Sequence, residues 1–213
     1  YGDPKILPIT ESEPIKKAES PYGNTKQIGE EIIKDLVNSS SNFNAISLRY
    51  FNPIGAHPSA LIGELPIGIP QNLVPYITQT AIGKRNELTV FGDNYLTRDG
   101  SCIRDYIHVV DLAKAHIKSL EKLIKESSKN YYDAFNIGTG KGTSVLELIS
   151  CFESVSGKKL NFRIGERRKG DIAKCFADVS KANELLNWKS KHSIEDALLS
   201  SWNWEKHIKN EKL

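Results

Sequence analysis

Tyr22 and Lys26 stand four residues apart in Ser20-Pro21-Tyr22-Gly23-Asn24-Thr25-Lys26. Ser20 is a preferred helix cap and Pro21 suits a first helical position. The spacing therefore predicts a helix with both side chains on one face, a turn apart. A free phenol, with a pKa of about 10, is a poor base at neutral pH. An ammonium one turn away favours the phenolate, by a few kcal/mol in a partly dry site. The pair is thus equipped for general acid/base chemistry near pH 7. The same spacing also arises by chance on many helices, so alone it marks a candidate and no more.

Three other clusters carry chemistry-bearing residues. Arg104 and Arg168 are the cations best suited to clamp a diphosphate, because guanidinium pairs bidentately with phosphate oxygens. Gly138-Thr139-Gly140-Lys141-Gly142 follows an expected strand and precedes an expected helix. Its spacing is not Gly-x-Gly-x-x-Gly, and no strand ending in an acid follows about 20 residues on, so a tight turn is the expectation rather than a pyrophosphate cradle. His108, in Arg104-Asp105-Tyr106-Ile107-His108-Val109-Val110-Asp111, reads as a satisfied structural histidine beside a helix cap at Asp111.

The elements that must position these residues alternate. Residues 1–20, rich in Pro and Glu, read as a surface loop. An amphipathic helix follows over 21–38, with Ile28, Ile32, Ile33, Leu36 and Val37 on one side. A buried strand is expected over 45–51, a long loop over 56–70, a helix over 73–82 stopped by Gly83, and a short strand over 88–91. Long loops in compact domains are usually functional. A helix is expected over 112–126 and a strand over 134–137. Ser144 and Glu147 form a capping box opening a helix over 145–156. A strand over 161–164 and a last pair of helices, opened by Asp178 and Ser180, complete the order. Alternating strands and helices predict an α/β fold with a largely parallel sheet.

The 213 residues suffice for one or two domains with a real core. No apolar run approaches ~18 residues, so no membrane span is expected. The net charge of +3 is small and scattered, which argues against nucleic acid as a partner. The three cysteines, Cys102, Cys151 and Cys175, form no metal-ligand spacing and suit a reduced cytosol, so no metal is expected and a cytoplasmic location is.

Taken jointly, the segments resemble the extended short-chain dehydrogenase/reductases, and within them the UDP-glucose 4-epimerases. The resemblance is carried by residues 20–26, by Leu48-Arg49-Tyr50-Phe51-Asn52-Pro53-Ile54-Gly55 and the four residues after it, and by residues 68–76 and 90–95. The stretch 99–113, with Arg104-Asp105-Tyr106-Ile107-His108, and Arg167-Arg168-Lys169-Gly170-Asp171 complete it. It implies a Rossmann-type doubly wound parallel sheet that binds NAD, with a smaller α/β substrate-binding domain. Residues 1–57 and 100–126 would belong to the first, 58–99 and 127–213 to the second. It also implies inversion of a UDP-hexose at C4 through a 4-keto intermediate. Tyr22 would be the base and Lys26 the lysine that tunes it and holds the nicotinamide ribose. Tyr50 and Pro53 would line the nicotinamide side. Phe51, Asn52, Asn72, Leu73, Leu88, Phe91, Arg104, Tyr106, Val145, Arg168, Asp171 and Cys175 would contact substrate. Cys175 stands where the family has either a bulky Tyr or a small residue beside the sugar C2 substituent, which implies room for an N-acetyl group.

The family's glycine-rich NAD fingerprint matches nothing before Tyr22, so the chain resembles the C-terminal two-thirds of such an enzyme. The expectation is that this chain by itself neither retains NAD nor turns over substrate. Homodimerisation through the Tyr22 helix is a further implication of the resemblance. The alternatives are a non-catalytic nucleotide-sugar-binding remnant, or another epimerase or dehydratase of the same superfamily. An acid pair of the kind a dehydratase needs is not seen beside Tyr22, where Asn24 and Thr25 follow.

Overall fold

The computed structural model describes residues 1–18 and 20–211; Glu19, within the expected 1–20 loop, and residues 212–213 lie outside the described residues. Helix α1 spans Pro21–Ser39 and starts as expected: Gly23 N donates to the Ser20 hydroxyl at 3.0 Å, and Pro21 occupies the first turn. Strands β1 (Ala45–Tyr50) and β2 (Asn52–Ile54) follow, separated by Phe51. Next come α2 (Leu73–Ala81), β3 (Leu88–Phe91), β4 (Ile103–Arg104), β5 (Tyr106–His108) and α3 (Val109–Lys125). The second half holds β6 (Tyr132–Ile137), β7 (Thr143–Ser144), α4 (Val145–Ser156), β8 (Phe162–Gly165), β9 (Lys174–Cys175), α5 (Ser180–Leu185) and α6 (Ile194–Glu211).

The pairing is predominantly parallel, as the alternation of elements predicts. β1 runs with β6, from Ala45↔Tyr132 to Tyr50↔Ile137, β2 with β5, and β3 with β8. β4 is the hub of a small mixed sheet, antiparallel to β7 and parallel to β9. Among the described residues, the two largest of three cores hold these layers. One packs Val74, Ile77, Val90, Leu148, Phe152, Leu198 and Trp202 between α2, α4, α6 and β3. The other packs Ile107, Leu112, Phe135, Ile137, Leu186 and Trp188 around β5, β6 and α3. Each large side chain so buried contributes roughly 1.5–3 kcal/mol before entropy is charged against it. The α4 capping box forms in both directions: Glu147 N donates to the Ser144 hydroxyl at 3.1 Å, and Ser144 N to the Glu147 carboxylate at 2.9 Å.

Two expectations need correction, and the face of α1 adds an observation. Residues 1–20 are not only a surface loop. Ile9 is fully buried and is bridged to Ala177, with Ile9 N donating to the Phe176 carbonyl at 2.9 Å and Asp178 N to the Ile9 carbonyl at 2.7 Å. The apolar face of α1 is mostly uncovered. Val37 is buried, while Ile28, Ile32, Ile33 and Leu36 are exposed among the described residues. Asp111 does not cap α3. It lies in the first turn, fully buried, and its Oδ2 accepts Lys191 N at 2.7 Å and His192 N at 2.8 Å. These bonds tie the loop before α6 to α3.

The cap of α3 is His108, whose Nδ1 accepts from Val110 N at 3.0 Å. That leaves the ring proton on Nε2, which faces the Ser200 hydroxyl at 3.2 Å. Ser200 sends its own proton to the Ala197 carbonyl and accepts Ala56 N, so the imidazole is the donor and is neutral. Burial, then the stacked ring of His192 at 4.3 Å, push His108 down to about 4. The unfolded chain takes up this proton near pH 6.5 and the folded chain near 4. Between those values the unfolded state binds more protons, so folding stability falls as pH drops through the window, by about 2–3 kcal/mol. The carboxylates held low in the fold, Glu30, Glu147 and Asp111, begin to lose their own contributions only as pH falls through their unfolded values of 4.5 and 3.8, so the upper part of the window, above about pH 5, belongs to His108. Urea midpoints measured from pH 7 to 5, above the carboxylate range, are expected to show most of this decrement in the wild type. They are expected to show a much flatter profile in His108→Asn, which keeps a capping side chain and cannot titrate.

Candidate active site

A cleft of about 1910 Å³ opens beside α1 and the ends of the parallel strands. That exceeds the roughly 300–1,000 Å³ of an ordinary small-molecule pocket. Tyr22 and Lys26 stand on the exposed face of α1 at one end. The Tyr22 side chain is 73% exposed, so nothing in its packing keeps the hydroxyl from a ligand. Lys26 Nζ lies 5.1 Å from the centre of the Tyr22 ring, over its face, which confirms that the helix brings the pair together.

The helix bearing this pair is anchored by residues that sequence reasoning did not single out. Arg49, on β1, makes a two-pronged ion pair with Glu30, with Arg49 Nε donating to Glu30 Oε2 at 3.0 Å and Arg49 Nη2 to Glu30 Oε1. Burial opposes the charge on Glu30, but the Arg49 hydrogen bonds and charge overcome it and hold the carboxyl at about 2. Glu30 follows Lys26 by one turn. An arginine inside the otherwise apolar 45–51 strand was the signal that a buried acid had to face it.

β2 and β5 form the cleft floor. Asn52 pairs with Tyr106 in register, and Asn52 N donates to the Asp105 carbonyl at 3.0 Å. Tyr106 is buried, and burial pushes its phenol above the usual range. Asn72 precedes α2 without capping it, and its Nδ2 donates to Glu64 Oε1 at 2.7 Å. This bond ties Glu64 of the 56–72 loop to the start of α2, and Glu64, Asn72 and Leu73 all line the cleft.

Arg104 and Arg168 stand at the other end. Arg104 Nη1 donates to the carbonyls of Ile103 at 2.9 Å and Ile172 at 2.8 Å, which fixes its guanidinium. Arg168 stacks over the Phe91 ring at 4.8 Å, and its Nε donates to Asp171 Oδ2 at 3.0 Å. The β4–β9 register sets Cys175 beside Arg104. Burial raises the Cys175 thiol although Arg104 opposes it, so the side chain is a small neutral wall. Leu88, Phe91 and Val145 line the same end. All sixteen residues singled out from the sequence therefore border one cleft: Tyr22, Lys26, Tyr50 and Pro53 as well as the twelve assigned to a substrate.

The glycine-rich turn at 138–142 is outside the cleft, and the amides at its centre, Thr139, Gly140 and Lys141, are already engaged. Asp105 Oδ1 accepts Thr139 N at 2.8 Å and the Thr139 hydroxyl at 2.6 Å, while Oδ2 accepts Gly140 N at 3.0 Å and Ala177 N at 3.2 Å. A Cβ on Gly138 would lie 2.4 Å from Asp105 Oδ2, and Gly140 has φ of 76°. The glycines thus let a buried carboxylate, not a phosphate, enter the turn. The donor set fits the nicotinamide end of a dinucleotide: an ammonium for ribose hydroxyls, and the flat faces of Tyr50 and Pro53. A pyrophosphate cradle is not found among the described residues. Likewise, no group of His, Cys, Asp and Glu there is placed to hold a metal, and no helix is long and apolar enough to cross a membrane.

The chain is also similar to proteins of known family and structure. The family profile for GDP-mannose 4,6 dehydratase matches residues 1–200. The UDP-glucose 4-epimerase of Bacillus subtilis is 51% identical over 205 residues, covering 96% of this chain and 59% of that protein. The crystal structure of UDP-glucose-4-epimerase from Stenotrophomonas maltophila, with bound NAD and formylated UDP-arabinopyranose, superposes with a TM-score of 0.94 at 45% identity. It covers 99% of this chain and 61% of that one. The enzyme from Bifidobacterium longum in complex with NAD+ and UDP gives 0.91 at 46% identity, covering 99% and 62%. The chain thus spans about three-fifths of the length of the relatives it matches.

Proposed function

The chain belongs to the GDP-mannose 4,6-dehydratase family of extended short-chain dehydrogenases/reductases, and from that premise we propose that the protein interconverts UDP-glucose and UDP-galactose by inverting C4. The observation carrying this reading is the single cleft with a tyrosine–lysine pair at one end and two arginines at the other. A nucleoside-diphosphate sugar has that polarity, with two phosphates between a base and an uncharged ring of hydroxyls. NAD, when bound, supplies the acceptor and donor of the C4 hydride. Related structures hold NAD together with UDP or a UDP-sugar, which supports both ligands here.

In this reading Arg104 and Arg168 take the diphosphate, a bidentate task suited to guanidinium. Leu88 and Phe91 pack the uridine side, and Asp171 accepts ribose hydroxyls. Phe51, Asn52, Asn72 and Leu73 surround the sugar, with Tyr106 and Val145 behind it. Tyr22 removes the proton of the 4-hydroxyl and returns one to the 4-oxygen after the 4-keto sugar has presented its other face. Lys26 stabilises the phenolate and holds the nicotinamide ribose, beside Tyr50 and Pro53. A 4,6-dehydration is less well served. The cleft-lining carboxylates among the described residues are Glu30, Glu64 and Asp171, and they are engaged by Arg49, Asn72 and Arg168. A homodimer joined at the exposed apolar face of α1, in the cytoplasm, belongs to the same reading.

The test is the full-length, NAD-loaded protein given UDP-galactose, with UDP-glucose read through a coupled UDP-glucose dehydrogenase. Binding of UDP without turnover would favour a nucleotide-sugar-binding protein instead. The small thiol of Cys175 further supports acceptance of UDP-GlcNAc and UDP-GalNAc. Cys175→Tyr is expected to lower kcat/KM for UDP-GlcNAc by about 100-fold, and for UDP-galactose by no more than about threefold. Equal losses on both substrates, or a wild type inert toward N-acetyl sugars, would reject this extension.

A further inference from the structure

Asp171 sits between the two guanidinium groups assigned to the diphosphate. Its carboxylate accepts from Arg168 Nε at 3.0 Å and lies 3.8 Å from Arg104 Nη2. Asp171 and Arg104 are each about four-fifths shielded from solvent, with side-chain exposures of 20% and 17%. Charges so placed interact more strongly than exposed pairs. The carboxylate also cannot withdraw far, because Asp171 N donates to the Arg168 carbonyl at 3.2 Å and closes residues 168–171 into a tight turn.

We infer that Asp171 is a charge selector, whose carboxylate makes the arginine pair refuse a diphosphate that brings no hydroxyl donors. The inference rests on the nucleoside-diphosphate reading of the cleft. A diphosphate held by both guanidinium groups draws Arg168 Nε from its hydrogen bond to Asp171 and competes with the carboxylate for Arg104 at 3.8 Å. The displaced carboxylate then stands beside new negative charge, and like charges so close are costly. A nucleotide repays that cost, since its ribose hydroxyls donate to the displaced carboxylate. Inorganic pyrophosphate has no such arm and is repelled. The arginines supply affinity for any diphosphate; the carboxylate supplies the discrimination, by penalising the wrong ligand.

Calorimetric titration of the full-length protein with UDP and with pyrophosphate, in magnesium-free buffer, tests this. Asp171→Asn is expected to bind pyrophosphate about tenfold more tightly than the wild type, and UDP no more tightly. Asp171→Ala is expected to move pyrophosphate in the same direction, which separates the lost charge from any bond made by the new amide. Unchanged pyrophosphate affinity in both variants would reduce Asp171 to a ribose contact. Weaker pyrophosphate binding in both would make it a mere prop for the arginines. Either result overturns the inference while leaving the nucleotide reading intact. A wild type that binds neither ligand removes that reading, and the inference with it.

Discussion

Tyr22→Phe is expected to lower kcat by about 10³-fold in the full-length, NAD-loaded protein, with KM for UDP-galactose within about threefold of the wild type. The substitution deletes one oxygen and keeps the ring over which Lys26 lies at 5.1 Å. Because the side chain is 73% exposed, the fold loses no buried contact. The melting temperature and the affinity for UDP should therefore be unchanged, which separates lost chemistry from lost structure. In the proposed reaction Tyr22 serves the 4-hydroxyl in both directions. The forward and reverse reactions should thus fall by the same factor. A variant that retains more than a tenth of wild-type kcat would remove Tyr22 from the proton-transfer step.

The largest expected effect on stability lies elsewhere, at Asp105. Its carboxylate is fully buried and accepts four donors from Thr139, Gly140 and Ala177. Asp105→Ala leaves the Thr139, Gly140 and Ala177 amides without this acceptor, while the Thr139 hydroxyl can turn to the Lys141 carbonyl at 3.3 Å, and it opens a cavity that the close approach of Gly138 cannot fill. Each buried donor left without a partner costs roughly 1–3 kcal/mol, and with some relaxation the sum is about 4 kcal/mol. Asp105→Asn is expected to rescue little. Whichever way the amide turns, its NH2 faces N–H donors. Urea denaturation of both variants beside the wild type checks this. A loss under about 1 kcal/mol in Asp105→Ala would mean that the turn finds other acceptors.

Much of the frame was readable in advance because local rules coincide there. Ser144 and Glu147 satisfy each other within one turn, so the start of α4 needs no tertiary information. Strand and helix periodicities likewise gave the parallel order. The misses occur where a residue serves a distant partner. Asp111 has the composition of a cap, but its carboxylate is consumed by the loop before α6, and the imidazole of His108 caps instead. Ile9 lies in a Pro-rich stretch that reads as surface, and only its pairing with Ala177 buries it. The cleft shows the same split. Tyr22 and Lys26 are a local spacing, whereas the Glu30–Arg49 anchor and the Asp105-filled turn join segments that no window of sequence holds together.

The bridge between Ile9 and Ala177 has a consequence for how the molecule comes into being. On a translating ribosome, the Ile9 segment emerges long before the residues that cover it. β1 similarly waits for β6, its partner across most of the intervening chain. Such non-local, parallel pairings raise the contact order, so loop-closure entropy is paid before the contacts repay it, and slow folding is the expected outcome in refolding kinetics. The apolar side of the Ile9 segment stays open through that interval, where chaperones and aggregation compete for it.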